Sequence, residues 1–197
     1  MGLVSQPLQA FGLVESSWVR ASAASFERHT HDEYVLGANL QGHERIWLDG
    51  RTLEVPPGAI TLYNPLAVQA SEFAPDGVEY ISLHLAPEAL ARISRDNNLK
   101  PLDGSPSFDQ GVLRDPALYR AIVDFARADA AQPAHQEEAL LALLGQLLEQ
   151  PSGPSLEQAA SMRLAVQLMR DTPNGKLPLE DLAAVAGLSK YHFVRCF

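Results

Sequence analysis

His29 and His31 are spaced so that they could act together in chemistry. Side chains two residues apart in an extended strand point to the same face, so both imidazoles would project together. Imidazole nitrogens bind transition metals and also hydrogen-bond small organic molecules. The pair could therefore begin a metal site or line a ligand pocket, and it could also be merely structural.

The C-terminal residues 179–197 have the spacing of a helix-turn-helix, the unit that places a recognition helix in the DNA major groove. Ala183 supplies the small residue needed where two helices cross, and Gly187 supplies the turn. The apolar residues that would lock the helices together are Leu182, Ala186, Leu188 and Phe193. Ser189 is placed as the N-cap of the second helix. The residues of that helix that would face phosphates or base edges are Lys190, Tyr191, His192 and Arg195.

Composition excludes several classes of protein. The sequence has no nucleophile triad, no glycine loop that cradles phosphate and no zinc-type cysteine pair, so catalysis has little support. The single cysteine, Cys196, forms no intramolecular disulfide, and we expect a buried thiol in a reducing compartment. No secretory leader is recognisable, and no stretch approaches the roughly 20 apolar residues of a membrane span. We therefore expect a cytoplasmic protein that contacts no membrane.

Charge is divided unevenly along the chain. The net charge at pH 7 is −9, yet the residues from Ser155 onward carry +1, so the residues before them carry −10. An acidic body with a mildly basic end would not attract nucleic acid over its whole surface. We expect DNA contact to be confined to the C-terminal end.

The elements that must position these residues change type near residue 112. Before it, runs of Val, Ile, Leu, Tyr and Trp alternate with turn signals about 8 to 12 residues apart, which is typical of an antiparallel sandwich or barrel. The predicted strands are 25–29, 34–40, 44–48, 52–55, 59–63, 68–72 and 78–85. The predicted helices are 87–96, 116–130, 136–150 and 156–171, with a linker at 150–155.

The predicted helix 136–150 carries a wide apolar stripe. Its leucines are Leu140, Leu141, Leu143, Leu144, Leu147 and Leu148. This stripe could pack on the barrel, on the preceding helix, or on a second copy of the chain.

The C-terminal sequence KLPLEDLAAVAGLSKYHFVRCF resembles the first helix-turn-helix of the AraC family of transcriptional regulators. The family phrase LSxxxFxRxF is present as Leu188, Ser189, Phe193, Arg195 and Phe197. In that family the DNA-binding domain has two such motifs joined by a long helix, so the resemblance implies that only part of it lies in this chain. We therefore expect this chain to bind DNA weakly.

The N-terminal sequence FERHTHDEYVLGANLQGHERIWLDGRTLEVPPGAITLYNPLAVQA resembles the cupin-type sensor domain of the same family. It contains a His-x-His strand, a glycine turn, a Pro-Gly turn and an Asn-Pro bend. Together the resemblances imply an α+β protein, with an N-terminal antiparallel β-barrel or jelly-roll (cupin-like) followed by helices and a partial all-α helix-turn-helix domain. The implied domains are a cupin-like sensor at 1–112, a helical dimerisation segment and linker at 113–154, and a partial DNA-binding domain at 155–197. A homodimer formed through the intervening helices is also implied.

Metal-dependent cupins hold a transition metal with imidazoles and usually a carboxylate, and this chain departs from that pattern. Val35 and Leu36 stand where the carboxylate is expected, and Glu33 comes too early. Thr61 stands where a third histidine is expected, although His84 remains available for a distorted site. We expect no metal and no cofactor.

Without a metal, the resemblance implies a barrel that encloses a small organic effector. Strand alternation selects the side chains that would line it if His29 and His31 face inward. The candidate effector-binding residues are His29, His31, Asn39, Gln69, Ser71, Tyr80, Ser82 and His84. A slip of one residue would turn each set outward, leaving ordinary surface or structural polar residues.

The sequence therefore predicts a ligand-responsive, sequence-specific DNA-binding regulator, not an enzyme, whose partners are DNA, a small effector and a second copy of itself. One alternative is a metal-dependent cupin enzyme, and another is a non-sensing interaction module. For the C-terminal motif the alternative is a small helical hairpin with a solvated face.

Overall fold

A computed structural model of the chain describes residues 2–11, 14–99, 105–128, 131–152, 156–173, 175–187, 189–190 and 193–194. The strands are β1 (Gly2–Phe11), β2 (Val14–Ser22), β3 (Ser25–His29), β4 (Tyr34–Leu48), β5 (Arg51–Val55), β6 (Ile60–Tyr63), β7 (Gln69–Leu85) and β8 (Gly111–Leu113). The helices are α1 (Pro87–Asp96), α2 (Pro116–Arg127), α3 (Pro133–Leu148), α4 (Leu156–Asp171) and α5 (Leu179–Val185). The chain divides into two compact units, residues 1–153 and 154–197. Among the described residues, no helix combines the length and apolar character needed to cross a membrane.

The sheet is centred on the long antiparallel pair β4 and β7. β2 and β6 flank this pair where the first half of β4 meets the second half of β7, and β3 and β5 flank it at the other end. β1 and β8 extend the sheet beyond β2 and β6. The predicted α+β class, an antiparallel β-structure followed by helices, is confirmed. β1, β2 and β8 fall outside the predicted strands.

Two predicted breaks between strands are wrong, because β4 and β7 run straight through them. Gly42, with φ +80, and Gly77, with φ +91, bend the strands there, and the β4–β7 register shifts just after Gly42. A Cβ on Gly42 would lie 2.0 Å from the carbonyl oxygen of Gly77. A glycine at positive φ occurs in bulges as well as in turns, so the local signal marked a bend and not an end.

One face of the sheet packs on α2 and α3 to form the main core. Leu36, Leu62 and Leu83 from the central strands meet Ile122 and Phe125 from α2 in this core. Five of the six leucines of the α3 stripe are buried in the same core, namely Leu140, Leu143, Leu144, Leu147 and Leu148. The stripe therefore packs on the sheet and on the preceding helix, which decides between the alternatives left open by the sequence.

Trp18 connects three elements of the N-terminal unit. Its indole Nε1 on β2 donates a 2.6 Å hydrogen bond to Glu79 Oε1 on β7. The same carboxylate oxygen accepts from Arg20 Nε at 2.6 Å. The guanidinium of Arg127, at the end of α2, lies 5.9 Å from the centre of the indole ring.

In the C-terminal unit, α4 packs against α5 through a small apolar cluster. Its buried members are Ala165, Leu182, Ala183, Ala186 and Phe193. Gly187 follows α5 with φ +65, and Lys190, Phe193 and Val194 are helical. The predicted contacts of Leu182, Ala186 and Phe193 are thus present, whereas Leu188 and the linker residues 153–155 lie outside the described residues.

Candidate effector-binding cavity

The sheet face turned away from the helices encloses a cavity of about 230 Å³. Strand alternation creates it, because Leu36, Leu62 and Leu83 point to the helical core while their neighbours line the cavity. Its lining residues are Ser5, Ser17, Val19, Phe26, His29, His31, Val35, Gly37, Glu44, Thr61, Tyr63, Gln69, Ser71, Tyr80, Ser82 and His84. The lining therefore combines imidazoles, hydroxyls, an amide, a carboxyl and aromatic rings.

All but one of the predicted effector-binding residues are brought together in this lining. The exception is Asn39, and its predicted place in the pocket is wrong. Its buried carboxamide donates hydrogen bonds to the carbonyl oxygens of Gly42 at 3.0 Å and Val55 at 2.8 Å. Asn39 still pairs in register with the cavity-lining Tyr80, so these backbone hydrogen bonds, and not the strand alternation, account for its absence from the lining.

His29, His31 and His84 form an imidazole cluster at the more exposed part of the lining. Ring centres lie 5.0 Å apart for His29 and His31, and 4.9 Å apart for His31 and His84. His29 Nδ1 lies 2.6 Å from the backbone oxygen of Glu27, which orients that ring. Burial lowers the pKa of His31, and the neighbouring His84 and His29 lower it further. His31 is therefore a neutral hydrogen-bonding group at pH 7.

Part of this cluster has the donors of a metal site. One ligand atom each from His31, Glu33 and His84 lies within 4.8 Å of the others. His84 Nδ1 is 3.9 Å from Glu33 Oε2, and the Glu33 side chain is 41% exposed. Two imidazoles and a carboxylate suit a transition metal, so these residues fit such an ion in donor type. Glu33, judged from the sequence to come too early, thus lies beside His84.

Glu44 is the acidic residue among the lining residues that sequence reasoning missed. Its side chain is buried at 7% exposure on the inward face of β4, and the Ser71 hydroxyl hydrogen-bonds its carboxyl group. Burial raises the pKa of Glu44, and the hydrogen bond from Ser71 opposes this shift. A signal was available, because Glu44 shares strand parity with the buried Ile46 and Leu48.

Two tyrosines surround this carboxyl group. Burial raises the pKa of both Tyr63 and Tyr80, and the nearby Glu44 raises each further. Tyr80 stacks on Phe73 with ring centres 5.9 Å apart and an angle of 22°. Both phenols are therefore neutral hydrogen-bonding groups in the buried part of the cavity.

The C-terminal unit contains the residues predicted to contact DNA. Ser189 and Lys190 are exposed, and Lys190 Nζ lies 2.6 Å from Glu180 Oε1 on α5. The ion pair partly neutralises the lysine but leaves it accessible to a phosphate. Tyr191, His192 and Arg195 lie outside the described residues, as does Cys196.

The chain is similar to several known proteins. The HTH-type transcriptional regulator YbfI of Bacillus subtilis (strain 168), itself described as uncharacterized, is 24% identical over 196 residues, covering 93% of this chain and 69% of the relative. A cupin superfamily protein from Desulfitobacterium hafniense is 16% identical with a TM-score of 0.41, covering 43% of this chain and 78% of that one. An RmlC-like cupin with a double-stranded β-helix fold from Methanocaldococcus jannaschii is 14% identical with a TM-score of 0.40, covering 43% of this chain and 81% of that one.

The family described as "AraC-like ligand binding domain" matches residues 19–165. This span is well over half of the chain and includes β3 to β8, α1, α2 and α3. The chain therefore belongs to the family of AraC-like ligand-binding domains.

Proposed function

We propose that this chain is a ligand-responsive transcriptional regulator that binds a small effector in the cavity. The observation that carries the proposal is the convergence of polar and aromatic side chains from β2, β3, β4, β6 and β7 on one enclosed space in a protein of this family. Such a lining is typical of sites that orient a small organic molecule. A cytoplasmic location follows from regulation of transcription.

A thermal-shift screen against a metabolite library tests effector binding. A ligand present at a hundred times its Kd stabilises the folded protein by about 2.7 kcal/mol. Ser82→Phe, which fills the cavity, should abolish the shift, whereas Ser25→Phe at an exposed position on β3 should retain it. If no compound raises the melting temperature, the chain is a non-sensing module. If Ser82→Phe responds like wild type, the compound binds outside the cavity, which contradicts the proposed site.

The C-terminal unit is the proposed DNA-binding part. Ser189, Lys190, Tyr191, His192 and Arg195 would contact phosphates and base edges from the second helix of the motif. Genomic fragments retained by the regulator should be bound less tightly by Lys190→Ala and Arg195→Ala, with Lys176→Ala, before the motif, as the control. Operator affinity must also change when the effector binds, because regulation requires different effector affinities in two states.

A homodimer is also part of the proposal, but its interface must avoid the buried leucine stripe. A surface groove of about 600 Å³ between α2 and α3 offers small and charged residues of both signs, including Arg120, Asp124, Glu138 and Ala142. Mixed charges suit the self-complementary contact of a two-fold dimer. Light scattering at tens of micromolar protein should give the mass of a dimer. Ala142→Arg should disrupt this dimer, whereas Glu137→Arg on the same helix should not. A monomeric wild type would contradict this part of the proposal.

A metal-dependent cupin enzyme is the second candidate, favoured by the approach of His31, Glu33 and His84. A bound transition metal would act there as a Lewis acid, and these three residues would hold it at the exposed part of the lining. This candidate predicts stoichiometric metal by elemental analysis and its loss in His31→Ala. The sensor proposal predicts effector binding that survives treatment with a chelator.

A further inference from the structure

We propose that the effector carries a protonated amine and that Glu44 is its counter-ion in the cavity. This inference rests on the proposed function, since it assigns the chemistry of the effector that the cavity binds. It makes Glu44 the residue that selects the ligand.

Glu44 is placed where its charge is costly. It lies on β4 opposite Val55 of β5 and Phe73 of β7, both buried and apolar. A carboxylate withdrawn from water among such neighbours loses solvation free energy unless an opposite charge or several hydrogen bonds replace the water. Glu44 nevertheless lines the cavity.

The residues around the cavity supply no permanent positive charge. Its lining contains no lysine or arginine within the described part of the chain. The adjacent Arg45 is exposed and pairs with Glu54 at 3.0 Å and Glu72 at 3.4 Å on the outer face. Arg28 lies 4.0 Å over the ring of Trp47, which is not part of the lining. Apart from the titratable imidazoles of His29, His31 and His84, the described lining holds no basic side chain, so a permanent cation beside Glu44 would arrive with the ligand.

Neutral donors already surround Glu44. The Ser71 hydroxyl hydrogen-bonds its carboxyl group, and Tyr63 and Tyr80 are close enough for the Glu44 charge to act on them. The aromatic faces of these tyrosines favour a cation over a neutral group. A hydroxyl ligand would add one more neutral donor without offsetting the charge. An anionic ligand would be repelled.

The dimensions favour a small amine. A cavity of about 230 Å³ holds roughly eight water molecules at about 30 Å³ each, so the bound part of the ligand has on the order of ten non-hydrogen atoms. An ammonium group beside Glu44 would stabilise the carboxylate form and so oppose the rise in the pKa of Glu44 that burial causes.

Matched small molecules test this inference. Calorimetry and thermal shift would compare 1-aminobutane and benzylamine with 1-butanol, benzyl alcohol and butyrate at millimolar concentration. We expect the amines to bind most tightly. Glu44→Gln should weaken amine binding by about tenfold to a hundredfold, since a charge-assisted hydrogen bond in a desolvated site is replaced by a neutral one.

Two controls separate the possible outcomes. Glu54→Gln removes an exposed carboxylate from the neighbouring strand and should leave amine binding unchanged, and Ser82→Phe should abolish it. The inference is overturned if no amine binds, if alcohols or butyrate bind as well as amines, or if Glu44→Gln retains amine affinity. If a non-amine metabolite binds in the cavity and is excluded by Ser82→Phe, the sensor proposal stands while the amine assignment fails.

Discussion

The Tyr119 hydroxyl on α2 donates a 3.1 Å hydrogen bond to the backbone carbonyl oxygen of Asn39 on β4. This contact joins the helical layer to the strand that carries Gly37 and Glu44 into the cavity. Because the donor lies outside the cavity lining, its removal should affect stability without changing the site itself.

Tyr119→Phe should lower the free energy of unfolding by about 1 kcal/mol, the usual net value of one partly buried hydrogen bond. Urea denaturation monitored by circular dichroism measures this change, with Glu137→Gln at an exposed position of α3 as the control. The thermal shift produced by an effector should persist in Tyr119→Phe. A variant as stable as wild type would show that this bond contributes nothing net.

Glu44→Gln should stabilise the protein at neutral pH. Burial raises the folded-state pKa of Glu44 above its ordinary value of 4.5. Between the unfolded and the folded pKa, the folded protein therefore binds this proton more tightly than the unfolded chain does. The contribution of this group is fully present below the unfolded pKa and declines as the pH rises through the folded pKa. Melting temperatures from pH 4 to pH 8 should show Glu44→Gln gaining on wild type with rising pH, and a constant difference would contradict this cause.

Asp115→Ala should destabilise α2. Asp115 Oδ1 accepts hydrogen bonds from the backbone N–H groups of Ala117 at 2.8 Å and Leu118 at 3.0 Å, and its other oxygen accepts from Gln150 Nε2 at 2.8 Å. Loss of such an N-cap costs about 1 kcal/mol, with an observed range of roughly 0.5 to 2. Chemical denaturation at pH 7 measures the loss, and Glu137→Ala at an exposed position of α3 provides the comparison.

The same carboxylate predicts an acid effect of opposite sign to that of Glu44. The backbone N–H of Leu118 first, and then the amide of Gln150, lower the pKa of Asp115 below its usual 3.8. Its contribution is present above the unfolded pKa and is lost as the pH falls through the folded pKa. The stability difference between wild type and Asp115→Ala should therefore shrink below about pH 4. A difference that grows on acidification would contradict the stabilisation of α2 by the ionised Asp115 side chain.

Gly37→Ala should strain the cavity wall. A Cβ on residue 37 would lie 2.3 Å from Thr61 Oγ1, so the Thr61 side chain or one of the two paired strands must shift. We expect a loss of about 1 to 3 kcal/mol, typical of overpacking. In a double-mutant cycle, adding Thr61→Ala should recover much of this loss. If the stability losses of Gly37→Ala and Thr61→Ala simply add in the double variant, the clash with Thr61 does not cause the loss in Gly37→Ala.

The class of the fold and the inward face of β7 could be predicted from the sequence, because alternation is a local property. Tyr80, Ser82 and His84 reach the cavity as the pattern indicated. The continuity of β4 and β7 could not be predicted, because a glycine at positive φ looks the same in a turn and in a bulge, and pairing of distant strands decides between them. Asn39 was misplaced for a different reason, because it pairs in register with Tyr80 but its carboxamide is held by the backbone of Gly42 and Val55, which alternation does not reveal.

Glu44 was missed because acidic residues are ordinarily read as exposed. The metal-like approach of His31, Glu33 and His84 was hidden because it combines residues from β7 and from the turn before β4, which the sequence separates by about fifty positions. Effector contacts and DNA contacts stay predictions, since they depend on the chemistry of the effector and the DNA as well as on the protein.

The hydrogen bond between Trp18 and Glu79 gives the protein an intrinsic optical probe. Glu79 precedes Tyr80 on β7, so a ligand that moves this strand changes the polar environment of the indole. Arg127 brings α2 to the same ring, so a movement of that helix would reach it as well. The emission of Trp18, isolated by replacing Trp47 with phenylalanine, would therefore report on strand and helix together without any attached dye.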